Sequence, residues 1–430
     1  MTTTTTLMNL EEVQLEDGKT AEQLIAERNK RIADAYDMKQ PDRIPISLNL
    51  GYMLSRMGGV TNQEMDENPD LVQDLLEKAA LMFQPDEIMG GGWDGRPSMI
   101  LGDRQTKFPG HGVAPDRPFQ FKEGEYMKAE EYDEFLEDPS DFTLRTFIPR
   151  VYEQLEGFAM LQPLGNMLTG YAALSNSWML TIPPIANAMA ALGKVAETAA
   201  ASGPIMARNG ARMAQLGYAP VPDWVCFAYA PFDFMGDTLR GTRGIMRDVL
   251  QRPEKLLAAM DKARKITVKA CIAAARLTGG KTVMIPLHKG SDGFISIPQF
   301  EKFYWPPLKQ MMLDMIDAGL RPQPFYEGVW DQRLEYLREL PAGKTRGMFE
   351  RSNMAKVKEV VGDIMPIIGG FPVSLLQGGT EEQVREHTKK MCEEVGKGGG
   401  FVMAAGTAMD YCKPELVKVW VEATKEYGQY

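Results

Sequence analysis

Short apolar runs, each ending in a polar residue, recur along the second half of the chain. The run 282–287 ends on His288, the run 320–326 on Glu327 and the run 343–349 on Glu350. Short apolar runs between turn residues predict buried strands. Three successive strands that end on ligand or proton-transfer groups predict the carboxyl-terminal rim of a parallel β/α barrel. For each residue alone, a capping or surface role is the alternative, and the coincidence of the three favours a site.

The rest of the chain alternates in the same way. Helical periodicity fills most of the gaps between runs, as in 20–37 and 380–396, where Thr20 and Thr380 are in N-cap position. Five further strands are predicted at 44–49, 85–94, 224–230, 364–370 and 400–406. The pattern therefore predicts an α/β fold, a single (β/α)8 TIM barrel over 41–430, preceded by an amino-terminal arm and helix over 1–40.

A helical insertion is predicted at 150–220, between strands two and three. It contains two Ala-rich segments, 182–201 and 204–216, each with proline near its start, where helices tolerate proline. We expect two helices here. A lid, a docking surface and a helical hairpin packed on the barrel all remain open.

Charge and cysteine usage narrow the class of protein. The 430 residues carry a net charge of −10, which argues against nucleic acid and anionic membrane surfaces as partners. The four cysteines form no CxxC motif, which indicates a reducing, cytoplasmic compartment. The first 20 residues have no basic segment and no apolar core, so we expect no signal peptide, and no apolar stretch is long enough to predict a membrane span.

Several motifs resemble the uroporphyrinogen decarboxylase superfamily over most of the chain. Pro41-Asp-Arg-Ile-Pro45 is similar to the family's PDR[VI]P before strand one, and Ala230-Pro-Phe-Asp-Phe-Met235 is similar to its strand-three element. Further matches are Leu239-Arg-Gly241 with Met246, the helix Ser296 to Leu308, the segment Ile367 to Gly379, the helix TEEQVREHTKK and the run GKGGGF. The resemblance implies the same single barrel.

Departures from the family pattern bear on the activity. Porphyrinogen decarboxylases have an arginine cluster after strand one, whereas this chain has only Arg56 there. The cobamide:coenzyme M methyltransferase branch holds zinc with a His-x-Cys after strand five and a cysteine after strand eight. The corresponding positions here are Phe325-Tyr-Glu327 and Thr407, so the standard thiol-activating zinc site is absent from the sequence.

The segments PLHKGSDGF, FYEG and GMFE resemble a third, methyltransferase-like branch of the superfamily. Its members resemble corrinoid-dependent O-demethylases. The resemblance implies transfer of a methyl group from a small substrate, such as a methoxylated aromatic, to a corrinoid cofactor on a partner protein. Two alternatives are a cofactor-independent decarboxylase acting on a smaller acid, in which Asp94 stabilises a protonated intermediate, and a non-enzymatic binding barrel.

Methyl transfer from an ether needs an acid on the leaving oxygen. His288 and Glu327 are candidate zinc ligands, with Asp331, Asp94 or Glu350 as a third, because catalytic zinc keeps three protein ligands and one open position. Metal-free proton donation is the alternative, and the predicted catalytic carboxyl groups are Asp94, Glu327 and Glu350. For Asp331, a helix cap is the favoured alternative.

Aromatic residues near the predicted strand ends are candidates for a flat substrate pocket, although packing alone would also explain them. They are Trp93, Phe232, Phe294, Phe325, Tyr326 and Trp330. The small residues of the insertion, including Ala186 and Ala190, predict a protein interface, with a homodimer favoured over docking of the corrinoid protein.

Overall fold

The computed structural model describes residues 7–168, 177–219 and 223–430. Its contacts divide the chain into two compact units. The first comprises Met1–Gly92, Ala207–Pro231 and Arg264–Tyr430, and the second comprises Trp93–Met206 and Phe232–Ala263. The predicted division at residue 40, and the predicted insertion bounds of 150–220, stay predictions.

A parallel sheet forms the centre of the first unit. Within the described residues it has eight strands: β1 (Ile46–Asn49), β2 (Glu87–Met89), β3 (Trp224–Phe227), β4 (Thr282–Leu287), β5 (Arg321–Tyr326), β6 (Gly347–Phe349), β7 (Ile367–Gly369) and β8 (Phe401–Ala404). Their order is β2-β1-β8-β7-β6-β5-β4-β3. Each predicted strand is present, which confirms an α/β fold with a parallel sheet; β2 ends at Met89, before the glycine run.

The register of this sheet determines which side chains meet at its carboxyl end. Leu287 of β4 pairs with Tyr326 of β5, and Tyr326 pairs with Phe349 of β6. The next residue of each strand is therefore His288, Glu327 or Glu350. Because the three strands are parallel and in register, these three residues lie side by side at the carboxyl end of the sheet.

Helices of the first unit follow the apolar periodicity. They are Ala21–Tyr36, Met53–Gly58, Asn62–Asp66, Pro69–Phe83, Ile297–Gln299, Trp305–Asp317, Leu334–Leu337, Met354–Val361, Val373–Gly378, Glu381–Met391 and Pro414–Tyr427. Thr20 and Thr380 form capping boxes with Gln23 and Gln383, as their positions predict. No helix in the described part of the chain is long and apolar enough to cross a membrane.

The second unit combines short helices with a small sheet. The small sheet has three described strands. Thr106–Pro109 lies in the middle and pairs with Gly112–Val113 on one side and Gln120–Phe121 on the other. Its helices are Arg96–Leu101, Tyr132–Glu137, Pro139–Phe142, Ile148–Val151 and Gly241–Gln251; Pro231–Asp233 and Pro253–Thr278 run from one unit into the other. A core cluster of Leu155, Phe158, Leu161, Ile185, Ala188 and Ala191 packs inside the second unit.

The two helices predicted at 182–201 and 204–216 are one helix, Pro183–Gln215, with Pro204 inside it. The prediction of a break was therefore wrong. Proline in a helix interior removes one hydrogen bond and costs about 3 kcal/mol. The alanines on both sides of Pro204 favour the helical state, and they let the helix continue through this position.

Buried ion pairs fix the amino-terminal end of the sheet. The carboxylate of Asp86 is fully buried and accepts hydrogen bonds from Arg43 at 2.7 and 3.0 Å and from the Ile46 amide at 2.8 Å. Arg31 also pairs with Asp86. Arg43 belongs to the Pro41-to-Pro45 motif, so this motif has a structural role at the end of the sheet opposite His288.

Replacing Asp86 with Ala is expected to destabilise the first unit strongly. The change leaves Arg43 and Arg31 buried without their shared carboxylate, which typically costs about 3–5 kcal/mol. Urea unfolding measures this loss. The matched control is Asp42→Ala, because Asp42 also pairs with Arg31 but is 63% exposed, and it should lower the free energy of unfolding by about 1 kcal/mol or less. Equal effects of the two variants would contradict the assignment.

Candidate active site

His288 and Glu327 form a close pair where β4 and β5 end. The His288 Nε2 atom lies 3.5 Å from Glu327 Oε1. Their side chains are 36% and 35% exposed, so solvent and a ligand both reach them. A carboxylate at this distance stabilises an imidazole that carries a proton. The pair is therefore suited to hold a proton and to donate it to a ligand at the carboxyl end of the sheet.

Glu350 follows β6, the next strand of the sheet, and its carboxylate is held by the backbone. The Gly328 amide donates to Glu350 Oε2 at 2.5 Å, and Arg351 Nε lies 3.5 Å from Oε1. Gly328 has a φ of +77°, which other residues rarely adopt. The turn after Glu327 thus orients the carboxylate on the neighbouring strand, which links Glu327 and Glu350 in one local structure.

Tyr229, which sequence reasoning did not select, is a further aromatic residue at this site. It follows β3, and its ring lies 6.4 Å from the His288 ring at an interplanar angle of 72°. The side chain is 41% exposed. The available signal was its place at the end of the run 224–230, on the strand beside the His288 strand.

Asp410 is a second residue that the sequence reasoning missed. It follows β8, and its Oδ1 accepts a hydrogen bond from the Tyr52 amide at 2.9 Å, just beyond β1. Burial raises the pKa of the Asp410 carboxyl. A Cβ on Gly51 would lie 2.2 Å from Asp410 Oδ1, so glycine is required for this approach. The Tyr52 hydroxyl in turn donates to Asp66 at 2.8 Å.

Asp331, the third residue of the predicted metal set, makes its hydrogen bonds with Asn353 and Lys356. Asp331 Oδ1 accepts from the Asn353 amide at 2.9 Å, and the Asp331 carbonyl accepts from Lys356 at 2.8 Å. Within residues 7–168, 177–219 and 223–430, no group of three or more His, Cys, Asp or Glu side chains is arranged to hold a metal ion. The donor set thus does not fit a three-ligand zinc site.

Tyr326 and Trp330, predicted to line a substrate pocket, pack among other aromatic rings, and their role in a pocket stays a prediction. Both are fully buried. Tyr326 stacks on Phe349 at 4.7 Å and meets Trp330 edge-on at 4.9 Å. Trp330 Nε1 donates to the Glu327 carbonyl at 2.9 Å, so these rings position the chain around Glu327. Phe294 remains 37% exposed, with the Lys289 ammonium 5.8 Å from its ring centre.

Asp94, Trp93 and Phe232 belong to the second unit. Asp94 forms a two-pronged pair with Arg96, at 2.8 Å for each prong, and Arg96 lowers the pKa of the Asp94 carboxyl. Trp93 is 57% exposed and meets Phe119 edge-on at 5.5 Å. Phe232 is buried. Asp94 is thus a paired carboxylate, Trp93 a partly exposed ring and Phe232 a core residue of that unit.

The site therefore consists of His288, Glu327 and Glu350 on three adjacent strands, with Tyr229 beside the imidazole. This set can transfer a proton to or from a bound ligand. A multiply anionic substrate requires several guanidinium groups, and the described segment 50–59 after β1 contains a single arginine. The described arginine there, Arg56, lies over the Tyr411 ring at 5.2 Å.

Comparison with known proteins places these strands in a family. Among solved structures, a methyltransferase from Methanosarcina mazei is similar, with a TM-score of 0.58 at 14% sequence identity, over 95% of this chain and 99% of that chain. This likeness shows the fold. No curated protein matches the sequence.

Residues 221–427 match the family model described as Uroporphyrinogen decarboxylase (URO-D). The matched range contains β3 to β8 and with them His288, Glu327, Glu350 and Asp410. Residues 221–427, just under half of the chain, are thus similar to the uroporphyrinogen decarboxylase superfamily.

Proposed function

We propose that this protein is a methyltransferase that removes a methyl group from a small methylated substrate, a methoxylated aromatic, and passes it to a corrinoid cofactor on a partner protein. The observation that carries the proposal is the His288–Glu327 pair, with 3.5 Å between Nε2 and Oε1, in a superfamily member that lacks an arginine cluster after β1. The fold shared with a methyltransferase from Methanosarcina mazei supports it.

The leaving oxygen is the chemical difficulty, since an ether oxygen departs poorly as an anion. When the partner is bound, its corrinoid would supply the nucleophile that takes the methyl group. In the proposal, His288 donates its proton to the ether oxygen as the carbon–oxygen bond breaks, so that the product leaves as a neutral hydroxyl compound. Glu327 stabilises the protonated imidazole before transfer. Glu350, fixed by the Gly328 amide, adds negative charge on the adjacent strand.

The proposed mechanism routes no step through zinc. His288 and Glu327 form a two-residue set, and Asp331 points to the Asn353 amide. The acid in the proposal is therefore a Brønsted acid that the chain itself supplies. Tyr229 and Phe294, both partly exposed, are proposed as the aromatic surfaces that a flat substrate contacts.

The second candidate is a cofactor-independent decarboxylase of a smaller acid, which the family description favours. In that reaction Asp94 would stabilise a protonated intermediate. Against it, Asp94 is already paired on both oxygens with Arg96. Release of carbon dioxide from an acid substrate, unaffected by His288 substitution, would support this candidate over methyl transfer.

Two further parts of the proposal concern assembly. We propose that β2 and β3 close the sheet into a (β/α)8 barrel, because the order β2-β1-β8-β7-β6-β5-β4-β3 leaves these two strands as its ends. We also propose a cytoplasmic homodimer in which the helix Pro183–Gln215 takes part in an interface. Ala186 and Ala190 are exposed on one face of that helix, as are Met189 and Leu192 nearby.

Replacing His288 with Ala or Glu327 with Gln is expected to slow methyl transfer by about 10²- to 10⁴-fold, the usual contribution of a positioned proton donor. The assay follows the absorbance of cob(I)alamin with a panel of methoxylated aromatics. Glu335→Gln, an exposed change on the short helix Leu334–Leu337, is the control and should keep full activity. Asp331→Asn distinguishes proton donation by His288 from metal binding by His288, Glu327 and Asp331. A loss of rate as large as that of Glu327→Gln would support the three-residue metal site.

Replacing both Ala186 and Ala190 with Glu is expected to weaken self-association, because it adds two like charges to one exposed helix face. Sedimentation velocity measures the dimer fraction. The matched control is Ala270→Glu with Ala273→Glu, two exposed alanines on the helix Pro253–Thr278, and it should leave the dimer intact. If sedimentation and methyl transfer are both unchanged in the Ala186 and Ala190 variant, the interface assignment is wrong.

A further inference from the structure

Two cysteines that the proposed reaction does not use lie side by side in the first unit. Cys226 is on β3, and Cys271 is in the second half of the helix Pro253–Thr278. Their sulfur atoms are 3.6 Å apart although the residues are 45 positions apart in sequence. Cys271 is buried, whereas Cys226 is partly exposed. Small reagents can therefore reach one thiol of the pair directly.

The two segments that carry these thiols are held together by the backbone. A Cβ on Gly280 would lie 2.4 Å from the Trp224 carbonyl, so the chain that follows the Cys271 helix runs directly against β3. Asp223 strengthens this contact: its carbonyl accepts from the Thr282 amide at 2.5 Å, and its carboxylate accepts from the Thr282 hydroxyl at 2.7 Å. The closeness of the two sulfur atoms is thus built into the fold.

The backbone at Cys226 can also adjust. Trp224 pairs with Thr282 and Cys226 pairs with the very next residue, Val283, so β3 contains one extra residue at this point. Such a bulge interrupts the regular ladder and redirects the neighbouring side chains. A disulfide has a sulfur–sulfur bond of about 2.05 Å, so closing the pair needs a shift of about 1.5 Å, shared between the two side chains and the bulge.

We propose that Cys226 and Cys271 form a modification site, a dithiol that a hydroperoxide converts to an intramolecular disulfide. This inference does not depend on the proposed methyl transfer, because it uses the geometry of the two thiols alone. Cys392 and Cys412 are also buried and take no part in the proposed link.

The chemistry divides between the two sulfur atoms. Cys226, as a thiolate, attacks one oxygen of the hydroperoxide; the oxygen–oxygen bond breaks, and a sulfenic acid forms with release of water or an alcohol. The Cys271 sulfur then attacks the Cys226 sulfur, its proton is lost, and the sulfenic oxygen leaves as water. The two thiols lose two electrons in total, and the hydroperoxide gains them. Cys226 is the attacking residue because its thiol is partly exposed whereas that of Cys271 is buried. Burial and the neighbouring Cys226 also raise the pKa of the Cys271 thiol to about 12.

Oxidation would link β3 covalently to the helix Pro253–Thr278. Tyr229, whose ring faces His288, lies three residues after Cys226, so the link acts close to the candidate active site. The disulfide would also close a long loop, from 226 to 271, and such loops gain stability because the cross-link restricts the unfolded chain. We therefore expect the oxidised protein to unfold at a higher temperature than the reduced protein.

The test uses the full-length protein, reduced and then treated with stoichiometric hydrogen peroxide. After denaturing alkylation, we expect the number of alkylated thiols to fall from four to two. Peptide mapping should identify a 226–271 link, and dithiothreitol should restore all four thiols and reverse the rise in Tm. Four alkylated thiols, or a link between other cysteines, would overturn the proposal.

Variants test the assignment independently. Cys226→Ser and Cys271→Ala should both abolish the link, and the use of two sites keeps the test valid if one variant folds poorly. Cys392→Ser and Cys412→Ser are matched controls at buried cysteines. Each single variant should retain the 226–271 link, and its number of alkylated thiols should fall from three to one after peroxide. Cys226→Ser should keep its three remaining thiols alkylated after peroxide, and a fall from three to one would contradict the proposal.

Discussion

The register of β4, β5 and β6 is the constraint on which the candidate active site depends. Leu287, Tyr326 and Phe349 occupy paired positions, so the residue that follows each of them emerges at the same level of the sheet. No long-range loop is needed to assemble His288, Glu327 and Glu350. A one-residue shift of β5 would move Glu327 to the other face and replace it with a buried aromatic ring.

Charged side chains are buried at one end of the sheet and partly exposed at the other. At the amino-terminal end, Asp86 is fully buried and its lone pairs are used by Arg43, Arg31 and the Ile46 amide, so its charge serves stability. At the carboxyl-terminal end, His288 and Glu327 are each about one-third exposed. Partly exposed charges remain able to meet a ligand, which agrees with the expectation that chemistry in such folds lies at the carboxyl ends of strands.

The strand ends could be predicted from the sequence because apolar runs bounded by glycine are local signals. The environment of single residues was harder to predict. In β5 the burial alternates, and Tyr326 falls on the buried face with Pro322 and Pro324, so it packs in the core. The direction of Asp331 depends on a turn that holds its carboxylate against the Asn353 amide, which the sequence pattern does not specify. Asp410 and Tyr229 gained their importance only from neighbours distant in sequence.

The proposed mechanism requires the chain itself to supply the acid for the leaving oxygen. The most direct measurement is the rate of methyl transfer from a series of aryl methyl ethers whose phenols differ in pKa, in the wild type and in His288→Ala. We expect the rate to depend weakly on phenol pKa in the wild type. We expect a steep dependence in the variant, with nearly normal rates for the most acidic phenols, because good leaving groups need no proton. An equal loss of rate across the whole series would contradict proton donation by His288.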